Sequence, residues 1–113
     1  MNKRSLGTEM EEKSCAYLTS QGMVILERNF RCRTGEIDVI ADDAGTVVFV
    51  EVKYRKDRSA GHPEEAVGKR KQETIRRVAL FYQTRKNLPL KTPMRFDVIA
   101  IEGEELRHYR NAF

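Results

Sequence analysis

Two acids and one amine stand out because each is set inside an apolar strand pattern. Asp38 lies between Ile37 and Val39, and Glu51 lies between Val50 and Val52, with Lys53 two positions further on. Taking a charge out of water is costly unless it is paired or bound to a metal, so acids at such positions require a partner. Two carboxylates aimed at one point repel each other, and a divalent cation relieves that repulsion. Donors that are all oxygen favour Mg2+ or Mn2+ over zinc. Lys53 adds an ammonium that can orient an attacking water and offset charge building on a phosphate. The chemistry that suits this trio is metal-assisted hydrolysis of a phosphodiester. The competing explanation is a salt-bridge network on a half-exposed sheet, where such pairs contribute little. An acid followed at a distance by Glu-x-Lys is a short pattern that chance produces often.

Whether the three groups meet depends on strand parity. Asp42-Asp-Ala-Gly45 reads as a turn, which makes a hairpin of Glu36–Ile40 and Thr46–Tyr54. Side chains alternate along a strand, so Glu51 and Lys53 share one face and Val52 takes the other. Opposed residues on neighbouring strands point the same way. Asp38 joins the face of Glu51 if paired positions sum to an odd number, a condition met with Asp38 opposite Phe49 or opposite Glu51. A slip of one residue would disperse the cluster.

The elements around this hairpin follow from periodicity. Thr8 with Glu11 has the spacing of a capping box, and the helix it opens runs to about Ser20 before Gly22. Glu11, Cys15 and Leu18 fall near one face of that helix, with Glu11 at the edge of its buried side. Met23–Leu26 reads as a strand and 28–34 as polar and irregular. Asp57–Pro63 is a loop, and Glu64 to about Thr84 is a long helix whose packed stripe is Val67, Ile75, Val78 or Ala79, and Tyr82. Pro89 and Pro93 confine 87–92 to a connector, after which Arg95–Ile101 and Leu106–Tyr109 are strands about a turn at Gly103. The order is helix, three strands, helix, two strands. It predicts an α/β domain in which a mixed sheet packs against helices. Residues 1–8 form a flexible lead-in and 9–113 a single domain.

Composition narrows the class. The chain has 113 residues, two cysteines and two histidines. That length suits one small domain, and Cys15 and Cys32 are too few for a disulfide scaffold, which predicts a reducing, cytoplasmic setting. Little material remains for a structural zinc site. No apolar stretch approaches the roughly 20 residues of a membrane span, and no apolar segment follows the basic N-terminus as a secretory signal requires. Charge is divided unevenly. Residues 53–95 hold 13 basic and four acidic side chains, a balance of +9 against −5 for the remainder. Such a division suits a face turned to a polyanion, and equally a solvated helix rich in Lys and Arg.

Several segments together resemble the bacterial YraN-like family. They are Gly35-Glu-Ile-Asp38, Val48-Phe-Val-Glu-Val-Lys53 with Arg55, Arg95-Phe-Asp-Val98 and the closing Asn111-Ala-Phe113. The resemblance extends from Gly7 to Phe113. That family is grouped with the restriction-endonuclease-like nucleases of PD-(D/E)xK type and is similar to archaeal Holliday junction resolvases. The resemblance implies a three-layer core with a mixed central sheet flanked by helices. It implies catalytic roles for Asp38, Glu51, Lys53 and the helical Glu11, with Asp38 and Glu51, joined by Glu11, holding Mg2+ or Mn2+. The family's Asn-Phe/Tyr-Arg segment falls on Asn29, Phe30 and Arg31, and its helical Lys-Gln on Lys71 and Gln72. Met10 stands where the family usually has glycine. A resolvase-like enzyme that cuts two strands needs two sites, which implies a homodimer.

The residues expected to grip nucleic acid are Arg31, Arg33, Arg55, Lys56, Arg58, Lys69, Lys71 and Gln72. Lys69, Arg70, Lys71, Arg76 and Arg77 span more than one helix face, so only some can meet a duplex together. Contacts of this kind reach phosphates and give weak sequence preference with marked salt sensitivity. Glu36 reads as a partner for Arg31 or Arg33, Gly35 as a backbone requirement, and Asp97 as an anchor for Arg95 or another arginine. His62 and His108 are isolated and read as surface or partly buried. The function expected is a Mg2+-dependent endonuclease acting on DNA, with branched DNA favoured because so small a domain has little surface for reading bases; RNA stays open. The rivals are a nucleic-acid-binding adaptor without turnover and a protein-interaction domain.

Overall fold

The computed structural model describes residues 3–55 and 67–113. The elements are α1 (Lys3–Ser20), β1 (Val24–Cys32), β2 (Gly35–Asp43), β3 (Thr46–Arg55), α2 (Lys69–Arg85), β4 (Met94–Glu102) and β5 (Glu105–Tyr109). They form one five-stranded sheet in the order β1-β2-β3-β4-β5. The pairs β1–β2, β2–β3 and β4–β5 are antiparallel, and β3–β4 is parallel. A parallel pair needs a crossover, and α2 supplies it. The result is a mixed sheet with helices packed on it, the restriction-endonuclease-like α/β core expected from the sequence.

The central strand explains the layering. Alternation along β3 sends Val47 and Phe49 to one cluster, with Ile75, Val78, Ala79 and Tyr82 of α2. It sends Val48, Val50, Val52 and Tyr54 to the other, with Met10, Cys15, Tyr17 and Leu18 of α1. A strand covered on both faces reads as a continuous apolar run, as 47–50 does. Phe49 is fully buried and meets Tyr82 edge-on at 5.9 Å and Phe96 stacked at 5.5 Å. Burying one such ring contributes about 2–3 kcal/mol. Gly35 has a local reason: a Cβ there would lie 2.7 Å from Thr74 Cγ2, so α2 passes against the β1–β2 turn.

Several boundaries differ from the sequence expectation, among them β2, which continues to Asp43 so that Asp42 and Asp43 pair with Val47 and Thr46 instead of turning. Helix α1 begins at Lys3, so Thr8 is inside the helix and not its cap. Strand β1 does not end at Leu26 but continues through the segment expected to be irregular, pairing Arg28 with Val39 and Phe30 with Ile37. β1 is an edge strand with polar residues outward, and Phe30 alone among 28–31 is buried, against Tyr82 and Phe81. Helix α2 begins at Lys69, with Gly68 at its cap, instead of at Glu64. Val67 is buried but precedes the helix. Lys56, Arg58, His62 and the expected loop at Asp57–Pro63 lie outside the described residues.

A buried polar chain fastens α1 to the sheet. Asp97, fully buried on β4, accepts bonds from Arg95 Nε (2.9 Å) and Nη2 (3.1 Å) and from the Asn111 backbone N–H (3.0 Å). His108 Nε2 lies 2.7 Å from the same carboxylate, and His108 Nδ1 lies 3.1 Å from Tyr17 Oη on α1. One neutral tautomer satisfies both contacts, with Nε2–H donating to Asp97 and Nδ1 accepting from the tyrosine. Arg95 Nη1 continues the chain to Asp43 at 3.0 Å, in the β2–β3 hairpin. Asp97 is therefore the anchor for Arg95, and His108 is buried within the same chain, its side chain 3 % exposed. Burial alone would raise the pKa of Asp97. The bonds from His108, Arg95 and Asn111 outweigh it and hold the carboxyl below its usual range.

Removing one partner from such a chain leaves uncompensated buried charge, so Asp97→Asn is expected to cost about 3 kcal/mol at pH 7 in urea unfolding. A pKa depressed in the folded state stabilises above the unfolded value near 4, and that contribution is lost as pH falls through the folded value. The gap between wild type and Asp97→Asn therefore shrinks toward pH 2. Coincident unfolding curves at pH 7 would refute the anchoring role.

Candidate active site

The pairing of β2 with β3 runs from Asp43↔Thr46 to Val39↔Val50. Carried one residue further, the same register sets Asp38 opposite Glu51, one of the two arrangements that parity allowed. There regular alternation breaks. Ile37 packs with Phe30 toward α2, whereas Val39 packs toward α1. Asp38 sits between them, where β2 leaves β3, and one of its carboxylate oxygens accepts the Val52 N–H at 2.8 Å. On the neighbouring strand Asn29 lies across from Asp38 and has a left-handed backbone, φ 52°. Asn29 uses that turn to donate its amide to Glu11 Oε1 at 2.8 Å, and Arg28 Nη2 lies 3.7 Å from the same oxygen. Glu11 and Asp38 consequently line one cleft of about 230 Å³ with Leu6, Gly7, Met10, Val52 and Tyr54. Met10, at the position where glycine is usual, is buried in the α1 cluster beside it.

Glu51 is buried, and its contact comes from the other helix. Lys71 Nζ of α2 lies 3.3 Å from Glu51 Oε2. That oxygen has no well-formed hydrogen bond among the described residues. Lys53 lies two residues on, half-buried, on the face that alternation assigns to Glu51. The pKa of Asp38 is pushed up to about 7, first by burial, then by its hydrogen bond with Glu51 and the negative charge there. The Val52 N–H and the Lys71 charge oppose this. Asp38 is therefore the acid that keeps its proton toward neutral pH, as a buried carboxyl beside another acid does.

The site's donor set fits a small divalent cation in part. Two adjacent carboxylates with a buried, weakly satisfied oxygen are what Mg2+ commonly takes from a protein, the rest of its shell being water and phosphate. Among the described residues no three His, Cys, Asp or Glu side chains form a ready-made cage. Glu11 borders the cleft but is occupied by Asn29 and Arg28.

The expected nucleic-acid contacts are distributed differently. Arg31 is exposed and bound to Glu36 at 2.7 Å, and Arg33 is exposed in the β1–β2 turn. Arg55 closes β3 beside Glu102. Lys69 is exposed at the start of α2, whereas Gln72 donates to the Val67 carbonyl at 2.9 Å. Arg76 lies over the rings of Phe96 and Phe113 at 5.4 Å each. Lys71 is thus separated from the other basic residues by its contact with Glu51. Sequence reasoning had it only as a phosphate contact. The signal available was electrostatic, since buried acids on β3 require a cation from whichever element covers that face.

The raised pKa of Asp38 gives a signed expectation. Its folded value lies above the unfolded one, so its contribution to stability is complete below about pH 4 and is lost as pH rises through 7. In EDTA the wild-type protein should therefore weaken between pH 5 and pH 8, by roughly 2 kcal/mol for a shift of this order. Asp38→Asn keeps an oxygen for the Val52 N–H and removes the repulsion. It should melt with wild type at or below about pH 4 and above wild type by a margin that widens to several degrees at pH 8. A slope that survives in Asp38→Asn would assign the titration to another group.

A protein-family profile described as "Uncharacterised protein family UPF0102" matches residues 10–101. Relatives named UPF0102 protein include one from Lachnoclostridium phytofermentans, 48% identical over 113 residues, covering 100% of this chain and 96% of the relative. Another, from Persephonella marina, is 44% identical over 107 residues, covering 95% and 91%. A third, from Caldicellulosiruptor saccharolyticus, is 45% identical over 119 aligned positions, covering both chains completely. Asp38, Glu51 and Lys53 all fall inside the matched region, and the chain belongs to the UPF0102 family, the YraN-like family that its motifs resemble.

Proposed function

We propose that the protein is a Mg2+- or Mn2+-dependent nuclease that hydrolyses phosphodiester bonds in DNA. One observation carries the reading: Asp38 and Glu51 are brought together, largely buried, at the point where two strands separate. Packing gains nothing from that arrangement, and the raised pKa of Asp38 records its cost. Perturbed acids in a cleft are frequent where chemistry is done.

In this reading Asp38 and Glu51 hold the cation, and Glu11, steadied by Asn29, borders it from α1. When bound, the ion supplies Lewis acidity and charge neutralisation at a phosphate. Lys53 holds the attacking water through its ammonium and opposes negative charge as it grows on the phosphate oxygens. Val52 fixes the Asp38 carboxylate through its backbone N–H, so the acid is oriented before substrate arrives. The basic side chains on and before α2 hold the strand by its phosphates, which suits recognition by shape more than by sequence. No helix among the described residues is long and apolar enough to cross a membrane.

Labelled four-way, forked, linear duplex and single-stranded DNA, with an RNA control, would be incubated with the protein in Mg2+, Mn2+ or EDTA. Metal-dependent cutting is expected, with branched DNA cut best. Asp38→Asn and Lys53→Ala should each lower the rate by 100-fold or more while remaining folded. Binding without cutting in every metal would overturn the enzyme in favour of an adaptor. Preference for RNA would correct the substrate, and no binding to any of these would defeat the nucleic-acid reading.

A further inference from the structure

Lys71 differs from its neighbours Lys69 and Arg70 in where its charge is spent. Its ammonium lies 3.3 Å from Glu51 Oε2, and the two side chains are 41 % and 7 % exposed respectively. One end of the pair is therefore sealed in the site and the other is open to solvent. Among the described residues the Glu51 oxygen accepts no well-formed hydrogen bond, and Lys71 holds it there by charge. An ammonium on a flexible four-carbon stem is a point charge that can be moved, unlike a guanidinium fork. Lys71 also lies in the first turn of α2, which has no acidic residue. The partial positive charge of that helix end favours anions there.

These features give Lys71 the geometry of a stand-in. We infer that Lys71 is an exchangeable cation of the site. It neutralises Glu51 while the site holds no metal, yields that oxygen to a divalent cation, and then takes a phosphate oxygen of the substrate. The inference rests on the reading of Asp38 and Glu51 as metal ligands. An ammonium and a dication on one carboxylate oxygen repel, so only one can remain. The displaced ammonium keeps its charge and its solvent-facing stem, and a nucleic-acid phosphate is the anion at hand.

The test counts bound Mn2+ by electron paramagnetic resonance, without nucleic acid. Wild type, Lys71→Met, Lys71→Arg and Glu51→Gln would be compared, with Lys71→Gln as a second neutral variant if Lys71→Met fails to fold. Removing the competing cation should tighten Mn2+ binding about tenfold in Lys71→Met, while Lys71→Arg should match wild type or bind more weakly. Equal or weaker binding by the neutral variants would overturn the exchange and leave the metal site standing. Mn2+ binding that Glu51→Gln does not change would instead overturn the metal reading itself. A second arm measures affinity for labelled four-way DNA in Ca2+ and in EDTA. Lys71→Met should lose several-fold affinity in Ca2+ and none in EDTA. Equal losses in both would make Lys71 an ordinary phosphate contact and refute its release, as would an unchanged affinity in both.

Discussion

Asp38 and Glu51 cannot both be charged at close range in a shielded site without a counter-charge, and the surrounding fold is arranged around that constraint. The β2–β3 ladder is regular from Asp43↔Thr46 to Val39↔Val50 and stops where the acids meet. Beyond that point the Val52 N–H, which a continuing ladder would use, is given to the Asp38 carboxylate. Helix α2 contributes Lys71 to Glu51, and α1 contributes Glu11, held by the left-handed Asn29 of β1. Each of these contacts steadies an acid without removing the repulsion, so the pKa of Asp38 stays raised. Stability is lower at this point than an apolar pair would give, which is common where geometry serves chemistry.

The molecule contains its own comparison. Asp97 is as deeply buried as any described residue, yet its pKa is lowered, whereas that of Asp38 is raised. The difference lies in the donors. Asp97 receives two bonds from Arg95, one from a backbone N–H and one from His108, so its charge is fully met. Asp38 receives one backbone N–H and faces another acid. The same residue type becomes a charged fastening in one place and a carboxyl of raised pKa in the other, set by what surrounds it. Tyr17 joins the first system to α1, which also carries Glu11. Asp97 thus helps position the helix that borders Asp38.

Much of this was legible in the residues. Alternation about the Asp42–Gly45 turn named two registers that would set Asp38 on the face of Glu51, and the ladder extends to one of them; the apolar run of β3 marked the strongest strand. Element order also followed from periodicity and turn residues. What escaped did so for physical reasons. Polar side chains on Arg28, Asn29 and Arg31 conceal an edge strand, because only one side of β1 needs to be apolar. Helix α2 begins at a glycine that makes no side-chain cap bond, so no capping side chain marks its start. The pairing of Lys71 with Glu51 joins residues 20 apart in sequence through a crossover, and no local pattern records which of three successive basic residues will face the sheet.

That crossover also supplies the reason the site is where it is. Because β3 and β4 run parallel, the chain leaving β3 must return to the other end of the sheet, and α2 makes the return. Its N-terminus therefore lies toward the end of β3 that carries Glu51 and Lys53. A helix start brings partial positive charge, and here it also brings Lys69, Arg70 and Lys71. The antiparallel side of the sheet brings Asp38 to the same place through a hairpin that has just stopped pairing. Acids come from the hairpin and cations from the crossover. A phosphate attracted to the helix end would arrive beside carboxylates that repel it unless a cation lay between them, and this charge arrangement is the support that the topology lends to the proposed metal-assisted chemistry.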